Sequence, residues 1–308
     1  MKTNVIRKLV AATALASLFS MTIQAQTPFY SVNGTGGTGG GTAGVTVTPS
    51  ISPSGSSTLT DLGATTQFSF GTGPNGVAGE SLVNAATGQA GNGVLAGTLG
   101  ASSSLSTFTL TMWVNQNTAA LNNYRILEIA SGSPATTGSS DGASTPGLFF
   151  GLNAGGGLQF YVNNANGNSV GTSIANGTNS WNNGGTLGSL AANKWYFVAV
   201  TYDSGSSITV YSGDQSDAAV SAATLSDVAG GALNLSSATS ISLLDRFSGG
   251  RDYPGSIDDV NLYSGALTQS QLDAIQTAQL IAVPEPATMA LLSLSSVVGA
   301  MMLRRRRS

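Results

Sequence analysis

The chain has 308 residues, with 11 Lys and Arg, 14 Asp and Glu, and neither cysteine nor histidine. These counts exclude a disulfide, a thiol nucleophile, an imidazole base and the common kinds of zinc site. Only 8% of the residues are charged and 41 are glycine, a composition that favours short strands and turns over long surface helices.

The N-terminus has the pattern of an export signal. Basic residues among the first eight precede an apolar stretch from residue 9 to residue 23, and Gln-Ala-Gln follows at residues 24–26. This order predicts a signal peptide over residues 1–25. The alternative is an uncleaved N-terminal membrane helix.

The charge of the exported part is strongly acidic. Without the leader and the C-terminal tail described below, 4 basic and 13 acidic residues remain, a net charge of −9. Such a surface repels nucleic acid and anionic lipid. We therefore expect neutral ligands or cations as partners, and no nucleic acid.

Residues 26–59 are rich in Gly, Ser and Thr, with a run of Gly and Thr up to residue 42. Because few side chains here could be buried, this segment is predicted to be a flexible spacer with at most a first strand. An ordered glycine-rich edge is the alternative. A phosphate-binding loop is not expected, because no Lys-Ser/Thr pair follows.

From residue 60 onward, short apolar runs alternate with polar turns. Residues 108–114 place Phe, Leu, Met and Val on one face and Thr, Thr and Trp on the other, which predicts a half-buried strand. Residues 195–202 are apolar on both faces, as expected of a central strand covered on two sides. Further strands are predicted at residues 67–70, 125–130, 148–152, 158–162, 208–211, 241–244 and 256–263.

One short helix is marked by a capping box at its start. The Thr268 hydroxyl can accept from the Gln271 amide, and the Gln271 side chain can reach back. Leu267 and Leu272 form a hydrophobic staple, and Leu272 and Ile275 are expected to pack inward. Many short antiparallel strands and one terminal helix predict an all-β, two-sheet sandwich over residues 60–282.

The last segment, residues 283–308, has three parts. Pro284, Glu285 and Pro286 form an extended break, because proline cannot continue a helix. The next 17 residues carry no charge and would span about 25 Å as a helix, near the lower limit for crossing a membrane. The chain then holds a basic cluster that would stay on the cytoplasmic side: Arg304, Arg305, Arg306 and Arg307.

This order of parts resembles the PEP-CTERM sorting signal of Gram-negative bacteria. The resemblance implies transient anchoring in the inner membrane and cleavage near Pro284-Glu285-Pro286 by an exosortase-type membrane protease. The protein would then reach the cell surface, the outer envelope or the extracellular matrix. The alternative is a permanent C-terminal membrane anchor.

Three pairs of segments resemble the laminin-G-like, concanavalin A-like sandwich of bacterial surface proteins. They are residues 108–114 with 126–130, residues 193–203 with 208–211, and residues 255–263 with 265–268. The resemblance implies a two-sheet jelly roll. It does not imply a ligand, because this fold hosts lectins, glycosidases and structural modules.

The acidic residues do not form a recognisable catalytic set, so no catalytic residue is predicted. A glycoside hydrolase needs two carboxylates that flank the scissile bond, whereas Glu80 and Glu128 lie in unrelated contexts and the Glu-x-Asp-x-x-Glu motif of laminarinase-type glucanases is absent. Asp258 and Asp259 are adjacent, so a regular strand would point them to opposite faces. An enzyme with unrecognised carboxylates stays the alternative.

Calcium is the one cofactor for which the sequence offers ligands. Asp245, Asp252, Asp258 and Asp259 cluster within 15 residues, and hard cations prefer carboxylates and backbone carbonyls. The resemblance also implies calcium at a rim of the sandwich. In the alternative reading, Asp258 or Asp259 fixes a turn or pairs with a nearby arginine.

An exposed aromatic ring beside Asn and Asp would form a platform for a sugar. Trp181, in a polar loop, is the first candidate, followed by Tyr253 and Tyr124, whereas Trp113 and Trp195 are predicted to lie in the core. The sequence therefore predicts an exported, non-catalytic sandwich that binds extracellular polysaccharide or a surface glycan. A structural matrix protein without a defined ligand is the alternative.

Overall fold

A computed structural model gives the structure of the chain. It describes residues 27–34, 37–39, 45–53, 56–62, 67–85, 94–100, 103–117, 123–131, 147–152, 158–163, 190–226, 232–235, 239–247 and 249–281. The predicted signal peptide, Trp181 and the C-terminal tail lie outside these residues. Among the helices inside them, none is long and apolar enough to cross a membrane.

The described residues are mainly β-strands. The strands are β1 (Tyr30–Val32), β2 (Gly37–Gly39), β3 (Val45–Val47), β4 (Leu59–Asp61), β5 (Phe68–Thr72), β6 (Ala78–Asn84), β7 (Leu95–Thr98), β8 (Ser103–Leu105), β9 (Thr107–Gln116), β10 (Arg125–Ser131), β11 (Gly147–Leu152), β12 (Leu158–Asn163), β13 (Trp195–Asp203), β14 (Ser207–Asp214), β15 (Val220–Ser226), β16 (Leu233–Leu235), β17 (Thr239–Leu243) and β18 (Gly255–Tyr263). One helix, α1 (Gln269–Leu280), follows β18.

Two large antiparallel sheets form the sandwich. Sheet I has the order β15-β14-β13-β9-β18-β6-β5, with β1 also paired to β18, and sheet II has the order β12-β11-β10-β17-β7-β4-β3-β2. Strands β8 and β16 form a small separate pair. The predicted all-β sandwich with one short C-terminal helix is confirmed.

Part of the predicted spacer belongs to the sandwich. Strand β1 pairs with β18, and Tyr30 and Val32 are fully buried. Strands β2 and β3 extend sheet II through β4, with Val45 and Val47 also in the core. The prediction of a flexible spacer is wrong for these strands, because apolar residues at alternate positions enter the core despite the surrounding glycines.

The main core lies between the two sheets, and aromatic rings fill it. The ring of Phe108 on β9 lies 5.0 Å from that of Tyr202 on β13 and 6.3 Å from that of Phe160 on β12. These contacts join neighbouring strands of sheet I and connect sheet I to sheet II. Such ring pairs stabilise the core beyond the effect of their buried area, because they prefer particular relative orientations.

Helix α1 covers the outer face of sheet I. Trp113, predicted to lie in the core, is fully buried there, and its Nε1 donates to Gln279 Oε1 at 3.0 Å. Thr109 Oγ1 donates to the Gly265 carbonyl at 2.6 Å and accepts from Leu267 N at 2.9 Å. Strand β9 is therefore buried on both faces, and not half-buried as its alternating pattern predicted.

The predicted capping box of α1 is confirmed. Gln271 N donates to Thr268 Oγ1 at 3.4 Å, and Thr268 N donates to Gln271 Oε1 at 2.9 Å. Leu267 and Leu272, the predicted staple, are both buried in the cluster beneath the helix, and Ile275 packs against it.

We expect Thr268→Ala to lower the free energy of unfolding by about 1 kcal/mol, because it removes the side-chain cap of the first turn. Ser270→Ala is the matched control, because Ser270 is exposed in the same turn. Urea denaturation of both variants measures the difference. Equal losses for the two would contradict a role for the cap.

Candidate functional site

The structure does not bring the four predicted calcium ligands into one site. Asp245 interacts electrostatically with Asp252, whereas Asp258 interacts with Asp259 and Glu80. Within the described ranges, no three His, Cys, Asp or Glu residues are placed to hold a metal ion together. The four aspartates therefore form two pairs with different surroundings.

Asp245 closes a turn on the way from β17 to β18. Its Oδ1 accepts from the backbone amides of Arg246 at 2.7 Å and Arg251 at 2.8 Å, while its buried Oδ2 has no hydrogen-bond partner. Burial and the neighbouring Asp252 raise the pKa of Asp245 to about 7. Fixing a turn was the alternative role predicted for Asp258 or Asp259. In the structure, Asp245 has this role.

Asp258 and Asp259 lie at a bulge in β18. Asp259 has a φ of 48°, and the pairing with β9 shifts register between Asp258 and Asn261. Both carboxylates interact with Glu80 on β6, and burial, joined by the repulsion among the three carboxylates, raises both pKa values. The bulge interrupts the alternation of a regular strand, so the rule that adjacent side chains point to opposite faces does not apply to this pair.

Asp258, Asp259 and Glu80 form an acidic corner. Their carboxylates interact electrostatically, but among the described residues they are not placed to hold a metal ion together. Asn75 supports the corner, because its Nδ2 donates to Glu80 Oε2 at 2.6 Å. Asp245 is no better placed as a ligand, because its Oδ1 already holds its own turn.

The two tyrosines predicted as sugar platforms are core residues. Tyr253 is 0% and Tyr124 is 1% exposed, and their rings meet edge to face at a centroid distance of 6.4 Å. A buried ring has no face open to a sugar, so the platform role is corrected for both. Trp195 is buried in the core, as predicted.

A pocket that the sequence did not reveal lies at the end of the hairpin formed by β13 and β14. Its volume is about 460 Å³, and it is lined by Tyr196, Ser212, Gly213, Asp214, Asp217 and Ala218. Tyr196 lies directly opposite Asp214 in the register of the two strands. In the sequence, Tyr196 is only one residue of an apolar strand and gives no sign of a pocket. The polar Asp-Gln-Ser-Asp segment at the end of β14 is the pattern that could have indicated a polar pocket wall.

An ion pair and a tight turn hold one side of this pocket. Lys194 Nζ lies 2.6 Å from Asp214 Oδ2, and Asp214 Oδ1 accepts from the backbone amides of Ser216 and Asp217 at 2.8 and 2.9 Å. The Lys194 ammonium and these amides hold the pKa of Asp214 well below its usual range.

This lowered pKa predicts a contribution to stability that is lost in acid. The contribution is present above the unfolded pKa, near pH 4, and disappears as the pH falls through the folded value of Asp214. We expect Asp214→Asn to reduce the loss of stability between pH 4 and pH 2, as measured by urea denaturation at each pH. If Asp214→Asn loses stability between pH 4 and pH 2 as steeply as the wild type does, the lowered pKa of Asp214 does not contribute to acid denaturation.

Several solved structures are similar to this chain at low identity. The binding domain of botulinum neurotoxin serotype G is 12% identical with a TM-score of 0.46, and the alignment covers 82% of this chain and 51% of that one. Domain 4 of the extracellular arabinanase AbnA from Geobacillus stearothermophilus, solved with arabinotriose, is 16% identical with a TM-score of 0.39, covering 68% and 81%. A SAP-like pentraxin from Limulus polyphemus is 14% identical with a TM-score of 0.39, covering 59% and 75%.

This chain therefore spans about half the length of the neurotoxin domain. No curated protein sequence matches it.

Two family models match the chain. The tail, residues 282–307, matches the PEP-CTERM protein-sorting motif, which indicates export and surface sorting. Residues 87–273, more than half of the chain, match the model of the concanavalin A-like lectin/glucanases superfamily, and the chain belongs to that superfamily.

Proposed function

We propose that the protein is an exported, non-catalytic carbohydrate-binding or adhesive module of the extracellular polysaccharide matrix. The observation that carries this proposal is the presence, in one chain, of a lectin-type sandwich and a surface-sorting motif. The net charge of −9 between leader and tail favours neutral ligands over anionic ones.

Sorting is proposed to proceed in three steps, which are export, membrane anchoring and cleavage. An N-terminal signal peptide starts export, the apolar segment holds the chain in the inner membrane, and an exosortase-type protease cuts near Pro284-Glu285-Pro286. The matched motif supports this sequence of events. The mature protein would then stay at the cell surface, in the outer envelope or in the matrix.

Calcium is proposed as a structural cation of the acidic corner formed by Asp258, Asp259 and Glu80, whose side chains would have to rearrange to hold the ion together. Asp258 is buried and the other two are half-buried, and carboxylates that repel one another in such a place are costly unless protons or a cation compensate them. A bound calcium would neutralise this corner and hold β6 against β18. It would not take part in any reaction.

Retention on the exopolysaccharide of the producing cells tests the function. We expect the mature protein to be retained on this immobilised polysaccharide, in calcium and in chelator alike if calcium only stabilises the fold. Retention that disappears in chelator would instead make calcium part of the binding site. A protein retained in neither buffer is the structural matrix protein of the alternative reading.

The same experiment tests the proposal that the protein is non-catalytic. After long incubation we expect no new reducing ends in the bound polysaccharide. If reducing ends appear, and Glu80→Gln or Glu128→Gln abolishes them, the chain is a glycoside hydrolase and the non-catalytic proposal fails.

A further inference from the structure

We propose that the pocket between Tyr196 and the turn from Asp214 to Ala218, named the hairpin pocket, binds a neutral saccharide unit. This inference rests on the proposed carbohydrate binding and assigns it to a place in the fold. The pocket volume of about 460 Å³ lies within the range of about 300–1,000 Å³ that ligand sites usually have.

One wall of the pocket is aromatic and held in place. Tyr196 is half-buried, and its hydroxyl accepts from the amide of Ala191 at 3.2 Å. The ammonium of Lys194 lies 5.3 Å from the centroid of the ring. A ring whose body is apolar and whose rim is polar suits the mixed surface of a sugar.

The opposite wall is a polar turn that the rest of the fold keeps rigid. Gln276 Nε2 on α1 donates to the carbonyls of Asp214 and Asp217 at 2.7 and 2.8 Å. Gly213 is needed for this close approach, because a Cβ there would lie 2.8 Å from the Asp217 carbonyl. A preorganised wall loses little conformational entropy when a ligand binds.

The polar groups of the pocket suit hydroxyl groups of a neutral ligand. Both Ser212 and the exposed Asp217 line the pocket; the Ser212 hydroxyl can donate and accept, and the Asp217 carboxylate can accept. Asp214 and Asp217 outnumber the single ammonium of Lys194, so the local charge opposes an anionic ligand such as a uronate. The pocket therefore selects neutral over acidic sugars.

The test uses oligosaccharides cut from the exopolysaccharide of the producing cells and separated by anion exchange into neutral and acidic fractions. Calorimetric titration of the mature protein is expected to show binding to the neutral fraction. Ala218→Trp, which fills the pocket from its exposed rim, should weaken this binding at least tenfold. Thr224→Trp places the same ring at an exposed position on β15 and should change the affinity by less than twofold.

A second variant protects the test against misfolding of the first. Asp217→Asn keeps the shape of the turn and should weaken binding about threefold to tenfold. If the wild type binds and both Ala218→Trp and Asp217→Asn bind equally well, the pocket is not the site, although the proposed function stands. Binding confined to the acidic fraction would overturn the ligand class, and no binding by the wild type would overturn both proposals.

Discussion

Replacing Trp113 by alanine is expected to lower the free energy of unfolding by about 3–5 kcal/mol, the range typical of a fully buried aromatic ring reduced to a methyl group. Trp113 is fully buried between sheet I and α1, and its ring meets that of Phe197 edge to face at a centroid distance of 5.5 Å. Its removal would leave a cavity under the helix. It would also leave Gln279 Oε1 without the indole donor.

Trp113→Phe separates packing from hydrogen bonding at this position. The phenylalanine ring keeps most of the contact with Phe197 but cannot donate to Gln279, so we expect a loss of about 1–2 kcal/mol. Chemical denaturation followed by circular dichroism measures both variants. If Trp113→Ala costs less than about 1 kcal/mol, α1 does not depend on this contact.

The local patterns that predicted this fold are those that depend on neighbours in the chain. The period of two in β9, the apolar run of β13 and the Thr268–Gln271 capping box each involve residues within about ten positions of one another. Chain geometry alone determines these features. Burial of the second face of β9 could not be predicted, because it requires α1, which follows more than 150 residues later and contacts β9 through Trp113 and Gln279.

The parts of the site that were missed depend on long-range pairing. Glu80 meets Asp258 only because β6 pairs with β18, and the register of that pairing has no signature in either strand. The hairpin pocket likewise depends on the register that sets Tyr196 opposite Asp214. Tyr124 and Tyr253 resemble exposed loop residues in the sequence, yet packing against each other removes both from solvent.

In chelator, the stability of the protein is expected to fall as the pH rises from about 4 to about 8. Burial raises the pKa values of Asp245, Asp258 and Asp259 above the usual value of an aspartate. Below about pH 4 these groups are protonated in both the folded and the unfolded chain, so their effect is absent. As the pH rises, the unfolded chain loses these protons first, and the folded state loses stability until the pH passes the folded pKa values.

Asp258→Asn isolates the contribution of the acidic corner. Because an amide cannot ionise, we expect this variant to gain on the order of 2 kcal/mol over the wild type at pH 8 and little at pH 4. Asp203→Asn, which removes a carboxylate at the end of β13 and outside the corner, is the matched control. An equal effect of Asp258→Asn at both pH values would show that the corner does not titrate.

Calcium should raise the stability of the folded protein at high pH, where the loss of protons lowers it. If the carboxylates of Asp258, Asp259 and Glu80 hold the ion, calcium at pH 8 raises the melting temperature of the wild type, because it binds the folded chain and replaces the protons that this pH removes. The gain should vanish in Asp258→Asn, which lacks a ligand, and should shrink towards pH 4, where protons compete for the oxygens. Equal melting temperatures in calcium and in chelator at pH 8 would remove calcium from the proposal while leaving the proton-linked fall in stability intact.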